Sequence, residues 1–324
     1  MKVIDAIRKL TSNYGIAIVL FVFIVIFTIA TPRFFAYRNF INVLRQVSPV
    51  GIAAVGMTMV IITGGIDLSA GSLVALVGVL SAHAMVEYNM PVPMVILLGL
   101  VIGALVGLLN GFAITKTNIP PFIFTLGMMT GLRGFCYILT RGMPIFGFTK
   151  DFDFLGKGFL FRVPIPVISM FVIFAIGWVI VNKSRFGRYI YAIGGNKEAT
   201  RLSGINVHKN LIFAYIISGM LSAFAGLIIL SRLSSGQPAA GQDFAFDVIT
   251  AVVLGGISIT GGEGKFSGII FGVIILGVLS NGLTLLNVYD YYQMVIKCVV
   301  LIVAVGFDQY TKRHQQVKKA VTEA

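Results

Sequence analysis

The fold is decided by residues 182–209, which read N-K-S-R-F-G-R-Y-I-Y-A-I-G-G-N-K-E-A-T-R-L-S-G-I-N-V-H-K. This stretch carries six of the chain's 25 Lys and Arg residues and lies between two long apolar runs. Charge at the centre of a bilayer is costly, so a basic segment of this length must lie in water. Its positive charge predicts the cytoplasmic side of a membrane.

A short helix is predicted inside this stretch, at residues 198–202. Gly194-Gly195-Asn196 precedes it, with left-handed geometry available to both glycines, and Ser203-Gly204 ends it. The stretch is either a solvated basic loop or a docking element for a soluble cytoplasmic partner. Under the second interpretation, one small apolar helix face seats in the partner. The candidate coupling residues are then Gly194, Gly195, Asn196, Ala199, Leu202 and Gly204.

The composition is that of an integral membrane protein. Of 324 residues, 57% are hydrophobic and 11% are charged, and the mean hydropathy is +0.94. Soluble domains carry about 25% charged residues. Because lipid cannot hydrogen-bond an open backbone, the predicted fold class is all-α. The net charge of +13 is assigned to membrane orientation rather than nucleic-acid binding, since the basic residues lie between apolar runs.

About ten membrane-spanning helices are predicted in one transmembrane domain that covers residues 1–324. Their ranges are 15–31, 43–63, 69–87, 92–114, 120–140, 163–181, 210–231, 245–260, 266–286 and 291–308. With the N-terminus inside, 15 Lys and Arg residues fall in inside segments and 8 in outside segments. This bias predicts that both termini are cytoplasmic.

Residues 43–140 and 210–308 form two blocks of similar length on either side of the coupling loop 182–209. An odd span between them, the sixth, would give the blocks opposite orientations. That arrangement predicts an inverted repeat of the kind found in transporters. Gly64-Gly65-Ile66 recurs as Gly255-Gly256-Ile257, although the matches share no single register.

Several polar residues interrupt the apolar segments. Asp67 and Ser69 follow Gly64-Gly65, and Ser69 is expected to cap the next helix. This turn is either a tight cytoplasmic turn or a gate beside a transport path. The candidate residues for the translocation path or gate are Asp67, Ser69, Asn110, Thr125 and Asn281. For the last three, interhelical hydrogen bonds are the competing interpretation.

No catalytic or metal-binding motif is found, so no catalytic residue and no metal ligand is assigned. Gly261-Gly262-Glu263-Gly264-Lys265 is not a phosphate loop, because Phe266 follows the lysine and Ile259 takes the place of the first glycine. No nucleotide is therefore expected to bind this chain. Cys136 and Cys298 lie in apolar segments without further Cys or His nearby, and form neither a metal site nor a disulfide framework.

The chain resembles the ribose-type permease family of ABC sugar importers over essentially its whole length. Six motifs carry the resemblance in order: G-G-I-D-L-S-A-G-S at 64–72, R-F-G-R-Y-I-Y-A-I-G-G-N at 185–196, A-T-R-L-S-G-I-N-V at 199–207, S-R-L-S-S-G-Q-P at 231–238, A-V-V-L-G-G-I-S at 251–258 and S-N-G-L at 280–283. The chain departs from the family at residues 243–247, where only Asp247 remains of a Glu-Leu-Asp.

The resemblance implies a permease of about ten spans that works as a homodimer in the bacterial inner membrane. A separate ATP-binding subunit, which holds ATP and magnesium, would dock on residues 194–205. An extracytoplasmic sugar-binding protein would deliver a monosaccharide, for which ribose is expected. The permease itself would be no enzyme and would bind no cofactor.

A different class of function stays open at this point. Asp67, Arg133 and Lys297 lie within or beside apolar segments, and such residues would also suit an ion-gradient-driven secondary transporter of a small polar solute. Asp67 is a conceivable partner for Arg133. The basic coupling loop favours the ATP-driven importer, because a secondary transporter has no need of a docking surface for an ATPase.

Overall fold

The computed structural model describes the backbone of residues 17–323 and the side chains of residues 17–306. The basic N-terminus and the first residues of the first predicted span lie outside the described residues.

The described chain is almost entirely helical. One 3-10 turn, Lys150–Phe152, and one antiparallel pair of strands, β1 (Phe159–Leu160) with β2 (Val163–Pro164), lie between the helix that ends at Thr140 and the helix that begins at Ile165. The helices are α1 (Ala17–Ala30), α2 (Tyr37–Ile62), α3 (Ala70–Tyr88), α4 (Val92–Thr117), α5 (Pro121–Thr140), α6 (Asp153–Lys157), α7 (Ile165–Lys183), α8 (Arg185–Gly195), α9 (Lys197–Leu202), α10 (Val207–Leu233), α11 (Phe244–Leu254), α12 (Gly268–Leu285) and α13 (Asp290–Glu323).

Seven of the described helices are long and apolar enough to cross a membrane, namely α2, α3, α4, α5, α7, α10 and α12. The all-α, multi-pass prediction is confirmed. The first and eighth predicted spans correspond to the shorter apolar helices α1 and α11, and the tenth lies within α13. Helix α11 ends at Leu254 instead of continuing to residue 260, because the glycines that follow turn the chain, with Gly256 at φ +82°.

Close backbone packing joins α10 to α4 at the centre of the bundle. A Cβ atom on Gly107 would lie 2.2 Å from the carbonyl oxygen of Tyr215, and one on Gly219 would lie 2.2 Å from that of Gly103. Small residues at this spacing let two membrane helices approach without intervening side chains. Helices α2 and α3 are also largely enclosed, whereas α5 exposes most of its surface.

Two breaks between helices meet at one end of the bundle. The first break, residues 63–69, joins α2 to α3, and the second break, residues 255–267, joins α11 to α12. The Gly262 amide in the second break donates a 2.8 Å hydrogen bond to the Ile62 carbonyl at the end of α2. Helices α8 and α9 lie at this same end, while α6 and the strands lie where α2 begins. The end that carries α8 and α9, where the sequence predicts that a partner docks, is called the docking end, and the other is called the opposite end.

Candidate functional site

The coupling segment, residues 184–206, is built from two short helices that side-chain caps define. The Ser184 hydroxyl accepts from the Gly187 amide at 3.1 Å and so begins α8. The Asn196 side chain accepts from the Ala199 amide at 2.9 Å and begins α9. The Asn206 side chain accepts from the Lys209 amide at 2.9 Å and begins α10. Each cap satisfies an amide that the helix itself leaves unpaired.

The outward face of α9 carries a lone large apolar side chain. Leu202 is 78% exposed and shares a face with exposed Ala199, whereas Thr200 points inward and is buried. Glu198 and Arg201 form an exposed ion pair with an N–O distance of 2.5 Å beside this face. Gly204 ends the helix in left-handed geometry, φ +79°. The prediction of a short helix here is confirmed. Helix α9 begins one residue earlier than expected and ends at the expected residue, Leu202.

The two glycines before α9 do not use the left-handed geometry that is available to them. Gly194 and Gly195 are the last residues of α8, and neither is among the residues of positive φ. The glycine at 194 is instead required by close approach. A Cβ there would lie 1.9 Å from the Ile62 carbonyl oxygen and 2.3 Å from the Gly262 amide nitrogen. Around Gly195, a Cβ would meet nothing within 4 Å.

A hydrogen bond also fastens α8 to the second break. The Tyr191 hydroxyl donates to the Gly264 carbonyl at 2.8 Å. Burial raises the pKa of Tyr191 above its ordinary value, so the hydroxyl keeps the proton it donates. Together with the contact at Gly194, this bond links the coupling segment to the end of α2. Helix α8, which precedes α9, is therefore packed against the membrane helices and is not a free linker.

The first break holds a buried polar cluster of Asp67, Ser69, Asn110 and Ser218. One Asp67 oxygen accepts from the Ser69 amide at 3.0 Å and from the Ser69 hydroxyl at 2.5 Å. The Asn110 amide donates to the Ser69 hydroxyl at 2.8 Å, and the Ser218 hydroxyl lies 3.4 Å from the other Asp67 oxygen. The cluster thus ties the break to α4 and α10. Tyr215 is buried beside it, and its hydroxyl has no hydrogen-bond partner among the described residues.

The predicted cap at Ser69 is wrong, because its side chain makes no capping bond to α3. Its hydroxyl donates to Asp67 instead. Arg133 is not a partner of Asp67 either. Its guanidinium donates to the carbonyls of Pro238 and Ala240 at 2.6 and 2.7 Å, which fixes α5 against the loop before α11.

Of the two remaining candidates, Thr125 lies at the edge of this cluster and Asn281 lies apart from it. The Thr125 hydroxyl donates to the Ile66 carbonyl in the first break at 3.0 Å. Asn281 accepts from the Asn39 amide at 2.8 Å and joins α12 to the start of α2. Four of the five predicted residues therefore gather at one break, and Asn281 lies near the opposite end of α2.

Sequence reasoning missed the ion pair between Lys297 and Asp247. It joins α13 to α11 with an N–O distance of 3.0 Å, and both side chains are 26% exposed. Lone charges in separate apolar spans are the signal that indicates such pairs. Among the described residues, no group of three or more His, Cys, Asp or Glu could hold a metal ion.

Comparison with known proteins covers nearly the whole chain. The family model described as "Branched-chain amino acid transport system / permease component" matches residues 39–305. The ribose import permease protein of Haemophilus influenzae is 46% identical over 313 residues, covering 93% of this chain and 97% of that protein. The ribose import permease protein of Bacillus subtilis is 46% identical, with 90% of each chain covered.

A galactose/methyl galactoside import permease protein of Haemophilus influenzae is similar at a lower level. It is 39% identical, covering 94% of this chain and 96% of that protein. No solved structure matches the chain significantly. The all-helical membrane bundle, the family match over residues 39–305 and these relatives agree, and the chain belongs to this family of ABC transporter permeases, as a multi-pass membrane subunit that transports rather than catalyses.

Proposed function

We propose that this chain is the membrane permease of an ATP-driven importer whose cargo is ribose. Two relatives at 46% identity over at least nine-tenths of their length carry ribose import in their names, and a galactose-importing relative is more distant at 39%. Galactose or a methyl galactoside is the second candidate cargo. Permeases of ABC importers work with an ATP-binding subunit and an extracytoplasmic binding protein.

The ATP-binding subunit docks on the coupling segment, and ATP with magnesium binds to that subunit. The observation that carries this assignment is the exposed face of α9. Leu202 is 78% exposed at the docking end of the bundle, flanked by a charged pair that would fix orientation. A partner groove that receives a short helix would bury Ala199 and Leu202. Gly194, Gly195, Asn196 and Gly204 shape the segment around that helix.

The buried cluster around Asp67 acts as the gate. Asp67, Ser69 and Asn110 tie the first break to α4 and α10, and Thr125 ties it to α5. The break contacts the second break and α8 through Ile62 and Gly262. Docking at α9 can thus bias the position of α2 against α3. Asn281 fastens α12 to α2 away from the gate.

The permease lies in the bacterial inner membrane with both termini in the cytoplasm, as a homodimer. The excess of Lys and Arg in the inside segments supports this orientation. It places the coupling segment inside the cell, where the ATP-binding subunit is, and places α6 and the strands outside, where the binding protein delivers the sugar.

Sugar uptake in cells that contain only this importer tests the assignment of cargo. We expect labelled ribose to accumulate and unlabelled galactose to compete weakly. Accumulation of galactose but not ribose would show that the cargo is galactose, as in the galactose/methyl galactoside relatives.

A further inference from the structure

An outer cleft of about 440 Å³ opens at the end of the bundle where α2 begins. Its lining is polar throughout and consists of Asn42, Arg45, Gln46, Lys157 and Arg232. Among the described residues, the side-chain amides of Asn42 and Gln46 have no hydrogen-bond partner, and both side chains are exposed. These amides are free to bind a ligand.

An inner cleft of about 80 Å³ continues from Gln46 between α2, α11, α12 and α13. Three polar residues line it besides Gln46, namely Asp247, Ser280 and Lys297. The side chains of Asp247 and Lys297, which form an ion pair, are each about one-quarter exposed. Charged side chains among apolar membrane helices face the protein interior or a water-filled cavity. Because this pair lines an open cleft, we expect the inner cleft to hold water rather than lipid.

The two clefts form one groove along α2. Gln46 lines both. Asn42, Gln46 and Val50 are spaced by four residues and therefore share one helix face. At a rise of about 1.5 Å per residue, this face extends about 12 Å from Asn42 to Val50. At about 440 Å³ the outer cleft lies within the range of about 300–1,000 Å³ that small-molecule sites occupy, and the inner cleft, at about 80 Å³, is a narrow extension of it.

The chemistry of the groove fits a neutral polyhydroxylated ligand. A side-chain amide both donates and accepts hydrogen bonds, as sugar hydroxyls do. The cations of the outer cleft have hydrogen-bond partners within the protein, and Lys157 among them is paired with a carboxylate. Arg45 donates to the Gly156 carbonyl at 3.2 Å, Arg232 donates to the Arg45 carbonyl at 3.5 Å, and Lys157 pairs with Asp153 at 3.0 Å. In the inner cleft the charges balance, which disfavours an anion.

We propose that this groove holds the monosaccharide on its way through the permease, with the Gln46 amide hydrogen-bonding the sugar where the clefts join. The Asp247–Lys297 pair and Ser280 offer the next polar groups inward, between apolar walls at Val47 and Val50 that pack against the sugar's C–H faces. The proposal rests on the proposed function, since it assigns contacts for the cargo of that importer. None of these residues belongs to the gate cluster or the coupling segment.

Thiol accessibility tests the groove independently of the cargo. Gln46→Cys and Ser280→Cys are made in a Cys298→Ser background, since Cys298 is exposed and Cys136 is buried. Leu97→Cys on α4 is the matched control, because Leu97 is 62% exposed on an apolar helix. The complete importer, reconstituted in vesicles, is treated with a charged, membrane-impermeant thiol reagent.

We expect the cysteines at 46 and 280 to react at least roughly tenfold faster than the cysteine at 97, because charged reagents reach thiols through water and not through lipid. Ribose should slow the modification at position 46. Equal, slow reaction at all three positions would overturn the hydrated groove, and fast reaction without any protection by ribose would overturn its role as a sugar site.

Transport by Gln46 variants tests the contact itself. Gln46→Leu removes both hydrogen-bonding groups at similar size, and ribose uptake should fall roughly tenfold while ATP hydrolysis stimulated by the binding protein stays within about twofold. Gln46→Asn, which keeps the amide, should recover part of the uptake with a raised KM. Uptake by Gln46→Leu at half the wild-type rate or more would overturn the proposal. A wild-type importer that failed to move ribose would instead contradict the proposed function.

Discussion

At the scale of single residues, Asp67 stabilises the conformation of the break between α2 and α3. Its carboxyl accepts from the amide and hydroxyl of Ser69 and approaches the hydroxyl of Ser218. The side chain is 1% exposed, so water cannot replace a lost acceptor. A buried donor left without a partner costs about 1–3 kcal/mol.

Asp67→Leu should therefore lower the stability of the permease by about 1–3 kcal/mol and reduce sugar uptake. Asp67→Asn keeps one acceptor oxygen and is the control, for which a smaller loss is expected. Thermal unfolding in detergent measures the first effect and uptake in cells the second. Wild-type unfolding temperature and uptake in Asp67→Leu would show that the break tolerates the loss of this acceptor.

Gly194 and Gly195 are adjacent, yet the structure predicts opposite responses to one added methyl group. At Gly194 the methyl would lie 1.9 Å from the Ile62 carbonyl oxygen, and at Gly195 it would meet nothing within 4 Å. Overpacking of this kind costs about 1–3 kcal/mol. Gly194→Ala should lower the yield and thermal stability of the permease, whereas Gly195→Ala should match wild type. The same loss in both variants would mean that helix α8 does not pack against α2 as described.

At the scale of elements, α9 is the surface that we propose couples the permease to ATP hydrolysis. Ala199 lies on its exposed face with Leu202, and a bulky side chain there would prevent seating in a partner groove. We predict that Ala199→Trp is folded and membrane-inserted but no longer co-purifies with the ATP-binding subunit and no longer imports sugar. Glu87→Trp, also exposed but at the other end of the bundle, is the control.

Insertion of Ala199→Trp in the membrane is verified first. Normal co-purification and uptake by this variant would then show that the coupling segment is only a solvated linker. In that case the docking surface would lie elsewhere at the same end of the bundle.

The sequence predicts the elements well where their signals are local. The short helix α9 was expected at residues 198–202 and lies at Lys197–Leu202, because a capping Asn and a terminating Gly are both local signals. The eighth span was expected to reach residue 260, yet α11 ends at Leu254. A buried glycine-rich break is as apolar as a helix, so hydropathy alone does not separate them.

Long-range pairings are what the sequence does not predict. Gly194 looks like a turn residue, and only its contact with Ile62, 132 positions earlier, explains it as a site of close approach. Asp247 and Lys297 are separated by 50 residues, and nothing local marks them as partners. The candidate residues around Asp67 are near in space because α4 and α10 pack through glycines, which is a property of the assembled bundle.

At the scale of the whole molecule, the proposed orientation in the membrane rests on the distribution of Lys and Arg residues. Ser203 and Asp151 are both exposed and lie at opposite ends of the bundle. In a Cys298→Ser background, Asp151→Cys should react with an impermeant thiol reagent on intact cells, and Ser203→Cys only after the membrane is opened. The reverse pattern would place the coupling segment outside and would remove the argument for an intracellular partner.

Reconstitution of the whole importer measures its energy source most directly. The permease is incorporated in vesicles with its ATP-binding subunit and supplied with the sugar-binding protein, and ribose uptake is followed with ATP, without ATP, and with an imposed ion gradient. The account predicts accumulation that requires ATP and all three components, and no ATP hydrolysis by the permease alone. Accumulation driven by an ion gradient through the permease alone would contradict it.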